Sequence, residues 1–129
     1  MTIQSCRPLL NVADVEASLG FWRDLLGFEV VTRYQAEGRL AFAQLKSGDV
    51  ELMLNFRGGD PERRRARPHY TEAVIYFGVA SVHDLVRDLR AKHFDAPEPE
   101  RQMYGVDEVT VRDRDGYEIA FTSPVSAAP

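Results

Sequence analysis

The chain has 129 residues, a formal net charge of −4 and a hydrophobic share of 44%. This length fits one compact domain, and the apolar content is that of a folded protein. The acidic balance argues against nucleic-acid binding, which needs a basic surface. No apolar run approaches the ~20 residues that span a bilayer. Because Met1–Leu10 also lacks a signal-peptide pattern, we expect a cytoplasmic protein with no membrane partner.

The first half of the chain is predicted to form a strand, a helix and three strands. Asp14 offers a side-chain oxygen to cap a helix that begins at Val15, and Gly27 is typical of a helix end. Apolar residues recur at helical spacing between these two positions. They are Val15, Leu19, Trp22 and Leu26. The predicted strands are Ile3–Val12, Phe28–Tyr34, Leu40–Leu45 and Val50–Phe56, with a hairpin at Ser47–Asp49.

The second half repeats this order after Arg57–Pro68, a stretch rich in glycine, proline and arginine that we expect to be an exposed connection. Ser81 and Asp84 form a capping-box pair ahead of a second amphipathic helix. A strong turn signal follows at Asp113–Gly116. The predicted strands are Ala73–Val79, a poorly marked one within Ala96–Tyr104, one around Val109 and Val111, and Tyr117–Thr122.

The two halves also share sequence at a fixed offset of 67 residues. The tetrapeptide that starts at Val12 matches the one that starts at Val79, and at the same offset Trp22 meets Leu89. A match that preserves a strand exit, a cap and a helical stripe together indicates an internal repeat. We therefore predict one domain, 1–129, made of two βαβββ half-units, 1–56 and 69–123, joined by a linker at 57–68.

Two stretches of the chain, Asn11–Phe28 and Asp113–Ile119, resemble the vicinal oxygen chelate superfamily, which includes glyoxalase I, extradiol dioxygenases and bleomycin resistance proteins. The similar features are a V-x-D start to the first helix, an F-W-x-x-x-L-G-F finish, and a D-x-D-G turn before the last strand. The resemblance implies an α+β fold in which the mixed sheets of two tandem βαβββ units form an open cup. It specifies the fold far better than the activity, because one fold hosts many chemistries.

Glyoxalase-like members hold a divalent metal with one side chain from each of four strands. Matching this sequence to that pattern puts Arg7, Glu51, Val74 and Ala120 at the four positions. Only Glu51 can donate to a metal, because a guanidinium stays protonated and the other two side chains are hydrocarbon. We therefore expect no bound metal and no cofactor. Either Arg7 supplies the positive charge that a metal supplies elsewhere, or both side chains reach solvent and barely interact.

Strand alternation assigns a second set of residues to the cleft rather than to the faces under the helices. This mixture of aromatic, aliphatic and charged side chains suits a bulky organic ligand, although sheet packing alone also accounts for Phe42 and Met53. The predicted ligand-binding residues are Arg7, Phe42, Glu51, Met53, Val74, Tyr76, Tyr104, Glu118 and Ala120.

The remaining reactive side chains carry weaker signals. His83 and His93 belong to the second helix and are predicted to have surface roles, as is His69 in the connection. Cys6 is the only cysteine, so no internal disulfide forms, and no base is predicted beside it. The basic run Arg63–Arg67 either recruits an anionic ligand or is a solvated connection, and we favour the connection.

The resemblance is greatest to the bleomycin resistance branch, which implies a homodimer that sequesters a small organic molecule without transforming it. Arg7 and the arginine run depart from the acidic cleft of that branch, which leaves the ligand open. The alternative is a divergent glyoxalase-like or dioxygenase-like lyase or isomerase with Glu51 or Glu118 as general base. No catalytic residue is assigned on the first hypothesis.

Overall fold

The computed structural model describes residues 1–125. They divide into two compact units, one over residues 1–61 and one that begins at residue 62. Each unit contains one four-stranded mixed sheet, so the predicted α+β class with tandem βαβββ-like units is confirmed. Within the described residues, no helix has both the length and the apolar character that a membrane crossing requires.

The first unit has the predicted succession of a strand, a helix and three strands, and its sheet has the strand order β1-β4-β3-β2. β1 runs parallel to β4, and the other pairs are antiparallel. Its elements are β1 (Leu9–Val12), α1 (Val15–Leu19), a π-helical extension (Gly20–Leu25), β2 (Glu29–Ala36), β3 (Arg39–Ser47) and β4 (Val50–Phe56).

The predicted strand Ile3–Val12 is wrong over its first six residues. Leu9 lies opposite Met53 in the parallel pair, so by the same register Cys6 would lie opposite Val50, where β4 begins. Residues before Cys6 have no partner strand. Met1–Arg7 are exposed, and Pro8, which has no amide hydrogen, joins the sheet only by accepting a hydrogen bond from the Met53 amide at 2.8 Å.

The first helix is capped as the sequence predicts but widens after one turn. The Asp14 side chain accepts a hydrogen bond from the Ala17 amide at 3.0 Å. In the extension, the Leu26 amide bonds the Phe21 carbonyl five residues back, which is the π-helical pattern. The wider turn keeps Trp22 fully buried, and the chain then leaves through Gly27 at a φ of 80°.

The second unit has the strand order β5-β8-β7-β6. β5 and β8 are parallel, as β1 and β4 are in the first unit, while β7 is antiparallel to both of its neighbours. Its elements are α2 (Pro61–Ala66), β5 (Ile75–Gly78), α3 (Val82–Ala91), β6 (Glu100–Arg101), β7 (Val106–Arg112) and β8 (Glu118–Pro124). β6 is the strand that the sequence marked poorly, and it has only two residues.

The local signals of the second unit act as predicted. The Ser81 hydroxyl accepts from the Asp84 amide at 3.2 Å at the start of α3. Asp113 accepts from the Tyr117 amide at 2.8 Å, and Gly116 takes a φ of 86°, which closes the β7–β8 turn. α3 buries its apolar stripe on the sheet, and the buried side chains of that stripe are Val82, Val86 and Leu89.

The predicted connection at Arg57–Pro68 is exposed as expected, since no residue of its second half is buried, but that half is not irregular, because Pro61–Ala66 form α2. The arginines of this helix hold it to the β7–β8 turn. Arg64 donates to the Asp115 carbonyl at 3.0 Å and lies over the ring of Tyr117 at 4.2 Å. Arg65 donates to the Arg114 carbonyl. The basic run therefore has a structural role that composition alone did not reveal.

Candidate functional site

Each sheet has one face covered by its helix, and we call the opposite face the open face, although in the second unit Glu108, Glu118 and Ala120 are buried on it. In the first unit, Leu10, Leu52 and Leu54 point to the buried side, so their neighbours in the strands point to the open side. The predicted site residues Glu51 and Met53 lie on this open face. The strand parity inferred from the sequence therefore holds in the first unit.

Arg7 and Glu51 come together at one end of this face. The nearest guanidinium nitrogen and carboxylate oxygen are 3.7 Å apart, with side chains 48% and 30% exposed. The structure thus agrees in part with each of the two interpretations of Arg7 and Glu51, because the two charges are paired but both side chains remain in solvent. An exposed pair of this kind contributes less than about 1 kcal/mol.

Phe42 and Met53 lie in the middle of the same face. Phe42 is opposite Asn55, and Met53 is opposite both Gln44 and Leu9. Asn55 donates to the Asn11 side chain at 3.2 Å, which fixes the polar end of this surface. The open face of the first unit is therefore a partly apolar surface bordered by amides and by the Arg7–Glu51 pair.

The first unit also contains a cleft of about 430 Å³ between the start of α1 and the β2–β3 hairpin. It is lined by both acidic and basic residues, and Arg39 stacks on the Phe56 ring at 4.4 Å. None of the predicted site residues lines this cleft.

In the second unit, Glu118 is the centre of a charged cluster on the open face. Its Oε1 accepts from the Tyr70 amide at 2.9 Å, its Oε2 contacts Nδ1 of His69, and Arg112 lies 3.7 Å away. Burial raises the pKa of Glu118, but the Tyr70 amide, His69 and the charge of Arg112 outweigh it and lower the pKa below its ordinary value. The carboxylate is therefore held as an anion.

A second cluster on this face joins Tyr70, Tyr76 and Tyr104 to the buried carboxylate of Glu108. The Tyr70 hydroxyl donates to Glu108 Oε2 at 2.8 Å, and the Tyr104 hydroxyl donates to Oε1 at 2.8 Å. Burial, followed by a hydrogen bond with Tyr70 and the charge of Glu108, raises the pKa of Tyr76. The three tyrosine residues are 49% to 61% exposed, although Glu108 itself is only 6% exposed. We call these four residues the tyrosine cluster.

The other predicted residues of the second unit differ in accessibility. Ala120 lies beside Tyr76 in the β5–β8 pair and is completely buried. Val74 precedes β5 and is partly exposed. Ala120 can therefore act only as a packing surface, whereas Tyr76 presents a ring to solvent.

Sequence reasoning missed four residues that the structure brings to this face: His69, Tyr70, Glu108 and Arg112. Glu108 and Arg112 have a detectable signal, because they alternate with Val109 and Val111 along β7. His69 and Tyr70 have none. They reach Glu118 across about fifty residues of sequence, from a segment in which Tyr70 takes a φ of 64°.

The residues at the expected metal positions do not fit a metal. The only donor, Glu51, is paired with a guanidinium, and Ala120 has no donor atom. Among residues 1–125, no group of three or more His, Cys, Asp or Glu side chains could hold an ion. Cys6 is an exposed free thiol.

Two tandem βαβββ-like units, each with one four-stranded mixed sheet, define an α+β class of fold. A family profile agrees with this class over residues 3–121, and the chain belongs to the Glyoxalase/Bleomycin resistance protein/Dioxygenase superfamily. The family resemblance in the sequence is thereby confirmed. No curated protein sequence matches the chain.

Three solved structures illustrate the range of relatives. The bleomycin-binding protein of bleomycin-producing Streptomyces verticillus, complexed with copper(II)-bleomycin, is 21% identical with a TM-score of 0.67, over 95% of this chain and 98% of that one. The antibiotic binding protein TnmS3 from Streptomyces sp. CB03234 is 16% identical with a TM-score of 0.71, over 96% and 98%. Lactoylglutathione lyase from Agrobacterium tumefaciens is 19% identical with a TM-score of 0.67, over 93% and 92%. At these identities the likeness is one of fold.

Proposed function

We propose that this protein binds and sequesters a small organic molecule of the antibiotic type without a bound metal and without transforming it. The observation that carries this proposal is the tyrosine cluster, which presents three partly exposed rings around a buried carboxylate. Exposed aromatic rings with a few fixed polar groups suit a bulky organic ligand. Two of the structural relatives are described as antibiotic-binding proteins, which supports the same choice.

The test is a thermal-shift screen of bleomycin and other aromatic antibiotics, followed by titration calorimetry of each hit. A ligand that binds only the native state raises the midpoint of unfolding. We expect a saturable shift with unchanged ligand recovered by chromatography. A complete lack of stabilising compounds would count against the proposal.

A matched pair of variants locates the binding surface. Tyr104→Ala removes a ring of the tyrosine cluster that is 61% exposed, whereas Met103→Ala removes its fully exposed neighbour. We expect only Tyr104→Ala to weaken binding of a hit. Equal effects from both variants would place the ligand elsewhere.

The alternative is an enzyme with Glu51 or Glu118 as general base. Glu118 is a poor base, because its contacts with Tyr70, His69 and Arg112 hold its pKa down. Glu51 is accessible but lies beside Arg7. A new product that depends on Glu51 or Glu118 in the recovered ligand would favour the enzyme.

We also propose that the chain forms a homodimer. β2 is an edge strand of eight residues, most of them exposed, and uncovered edges of this length are usually paired or covered. Exchange of half-units across Arg57–Pro68 is one route to such a dimer. Sedimentation equilibrium gives the mass directly, and a monomer at micromolar concentration would contradict the proposal.

A further inference from the structure

Of the four other buried carboxylates in the described part of this unit, Asp107 and Glu118 have cationic partners, whereas Glu108 has none. Asp107 pairs with Arg101 and His83, and Glu118 pairs with His69 and Arg112. Within residues 1–125, no arginine, lysine or histidine makes an ion pair with Glu108, and its two oxygens accept only phenolic hydrogen bonds. Its charge is therefore stabilised by hydrogen bonds but not neutralised.

The groups around Glu108 limit what can supply the missing charge. Tyr70 and Tyr104 donate hydrogen bonds to its carboxylate, Tyr76 is close enough for its pKa to be raised by that charge, and all three tyrosines are about half exposed. The negative faces of aromatic rings attract cations, and this attraction is greatest for weakly hydrated ones. A metal ion is disfavoured here, because a single carboxylate and phenols that act as donors do not form a ligand set.

We propose that the tyrosine cluster is a subsite for an organic ammonium group, with Glu108 as the counter-charge that determines specificity. The inference rests on the proposed function, since it names the ligand class of that surface. A methylated ammonium fits best, because it needs no hydrogen-bond acceptor and contacts the rings through its methyl groups. Glu108 then selects a cation over a neutral group of the same shape.

The test compares two probes of equal shape, benzyltrimethylammonium and its neutral carbon isostere neopentylbenzene. Each is titrated into the ¹⁵N-labelled full chain while amide shifts in Val106–Arg112 are followed. We expect the cation to bind at least about tenfold tighter, equivalent to about 1.4 kcal/mol. Glu108→Gln should reduce the preference to near unity, whereas the exposed Glu62→Gln, with the same change in charge, should preserve it.

Two further variants keep the test decisive if Glu108→Gln unfolds. Tyr104→Phe keeps the exposed ring but removes one of the two phenolic donors to Glu108, so the preference for the cation should rise. Tyr104→Ala removes the ring, so both probes should bind more weakly. If Tyr104→Phe lowers the preference for the cationic probe over the neutral one, the inference is overturned.

The outcomes separate this inference from the proposed function. Equal affinity for the two probes, or a preference that survives Glu108→Gln, overturns the role of Glu108 and leaves antibiotic binding intact. A failed antibiotic screen together with a Glu108-dependent preference overturns sequestration and supports the ammonium subsite. If no amide of Val106–Arg112 shifts with either probe, the subsite is refuted.

Discussion

The amide of Tyr70 donates a 2.9 Å hydrogen bond to the carboxylate of Glu118, joining two residues that are 48 positions apart in the chain. The bond places Tyr70 over the open face of the second sheet, where its hydroxyl reaches Glu108. Glu118 therefore positions one ring of the tyrosine cluster through a backbone contact. Its influence on the candidate site is indirect, because its oxygens are occupied by its own partners.

Replacing Glu118 with glutamine should destabilise the second unit. Glu118→Gln removes the charge that faces His69 and Arg112 and leaves the Arg112 guanidinium, whose side chain is 19% exposed, without its counter-ion. We expect the free energy of unfolding to fall by about 1–3 kcal/mol. Urea denaturation measures this, with Glu98→Gln as the control, since Glu98 is 80% exposed and its pair with Arg90 should contribute less than about 1 kcal/mol. Equal losses in the two variants would show that burial of Glu118 has no special effect.

Acidification should weaken the fold through the same carboxylate. The partners of Glu118 lower its pKa below the ordinary 4.5 in the folded state. A group with a depressed folded pKa contributes stability that is present above the unfolded pKa and is lost as the pH falls through the folded pKa. The free energy of unfolding should therefore decrease below about pH 4.5, and Glu118→Gln should flatten that decrease.

Asp107 gives an independent check of the acid response. Hydrogen bonds from Arg101 and then His83 lower its pKa below the ordinary 3.8, although burial opposes them. The ordinary pKa of Asp107, 3.8, is lower than the 4.5 of Glu118. The contribution of Asp107 to the free energy of unfolding should therefore begin to be lost at a lower pH than that of Glu118. Denaturation curves of Asp107→Asn between pH 2 and pH 7 should run flatter than the wild-type curve only at the acid end. A parallel displacement at all pH values would contradict this.

Arg112 should hold α2 against the sheet. Its guanidinium donates to the carbonyls of Arg64 at 3.0 Å, Gly116 at 3.0 Å and Arg67 at 2.8 Å, a set that needs the planar fork of arginine. A lysine ammonium cannot reach all three, so Arg112→Lys should reduce stability by about 1–3 kcal/mol. Tryptic cleavage within Arg63–Arg67 should also become faster, because α2 is held less firmly. Trypsin cleaves after both lysine and arginine, so Arg112→Lys leaves the number of cleavage sites unchanged.

The control for this variant is Arg87→Lys, which alters an α3 arginine that is 72% exposed. We expect neither its stability nor its rate of cleavage to change. Cleavage of Arg112→Lys at the wild-type rate would show that Arg64 and Arg65 hold α2 without it.

Local signals in the sequence predicted most of the fold because each acts over a few residues. The Asp14 cap, the Ser81 cap and the turn at Gly116 all form as predicted. The errors arise where contacts between residues far apart in the sequence determine the structure. β1 is shorter than predicted because β4 begins at Val50, which leaves the residues before Cys6 without a partner strand. α2 forms where the sequence suggested a connection, and its arginines donate to carbonyls about fifty residues away.

The candidate site was predictable to the same extent. Strand parity placed Glu51 and Tyr76 on open faces, because alternation needs only the two neighbouring residues. It could not reveal that Glu118 is already paired, since His69 and Tyr70 come from a segment with no periodic pattern. Whether these residues bind a ligand stays a prediction.

The Arg7–Glu51 pair should matter little for stability, and this distinguishes it from the buried pairs of the second unit. Its charges are 3.7 Å apart and open to water, so solvent and salt screen their attraction. A double-mutant cycle of Arg7→Ala and Glu51→Ala should give a coupling energy below about 1 kcal/mol, and added salt should reduce it further. A coupling above about 2 kcal/mol would mean that the pair is far better shielded than its exposure indicates.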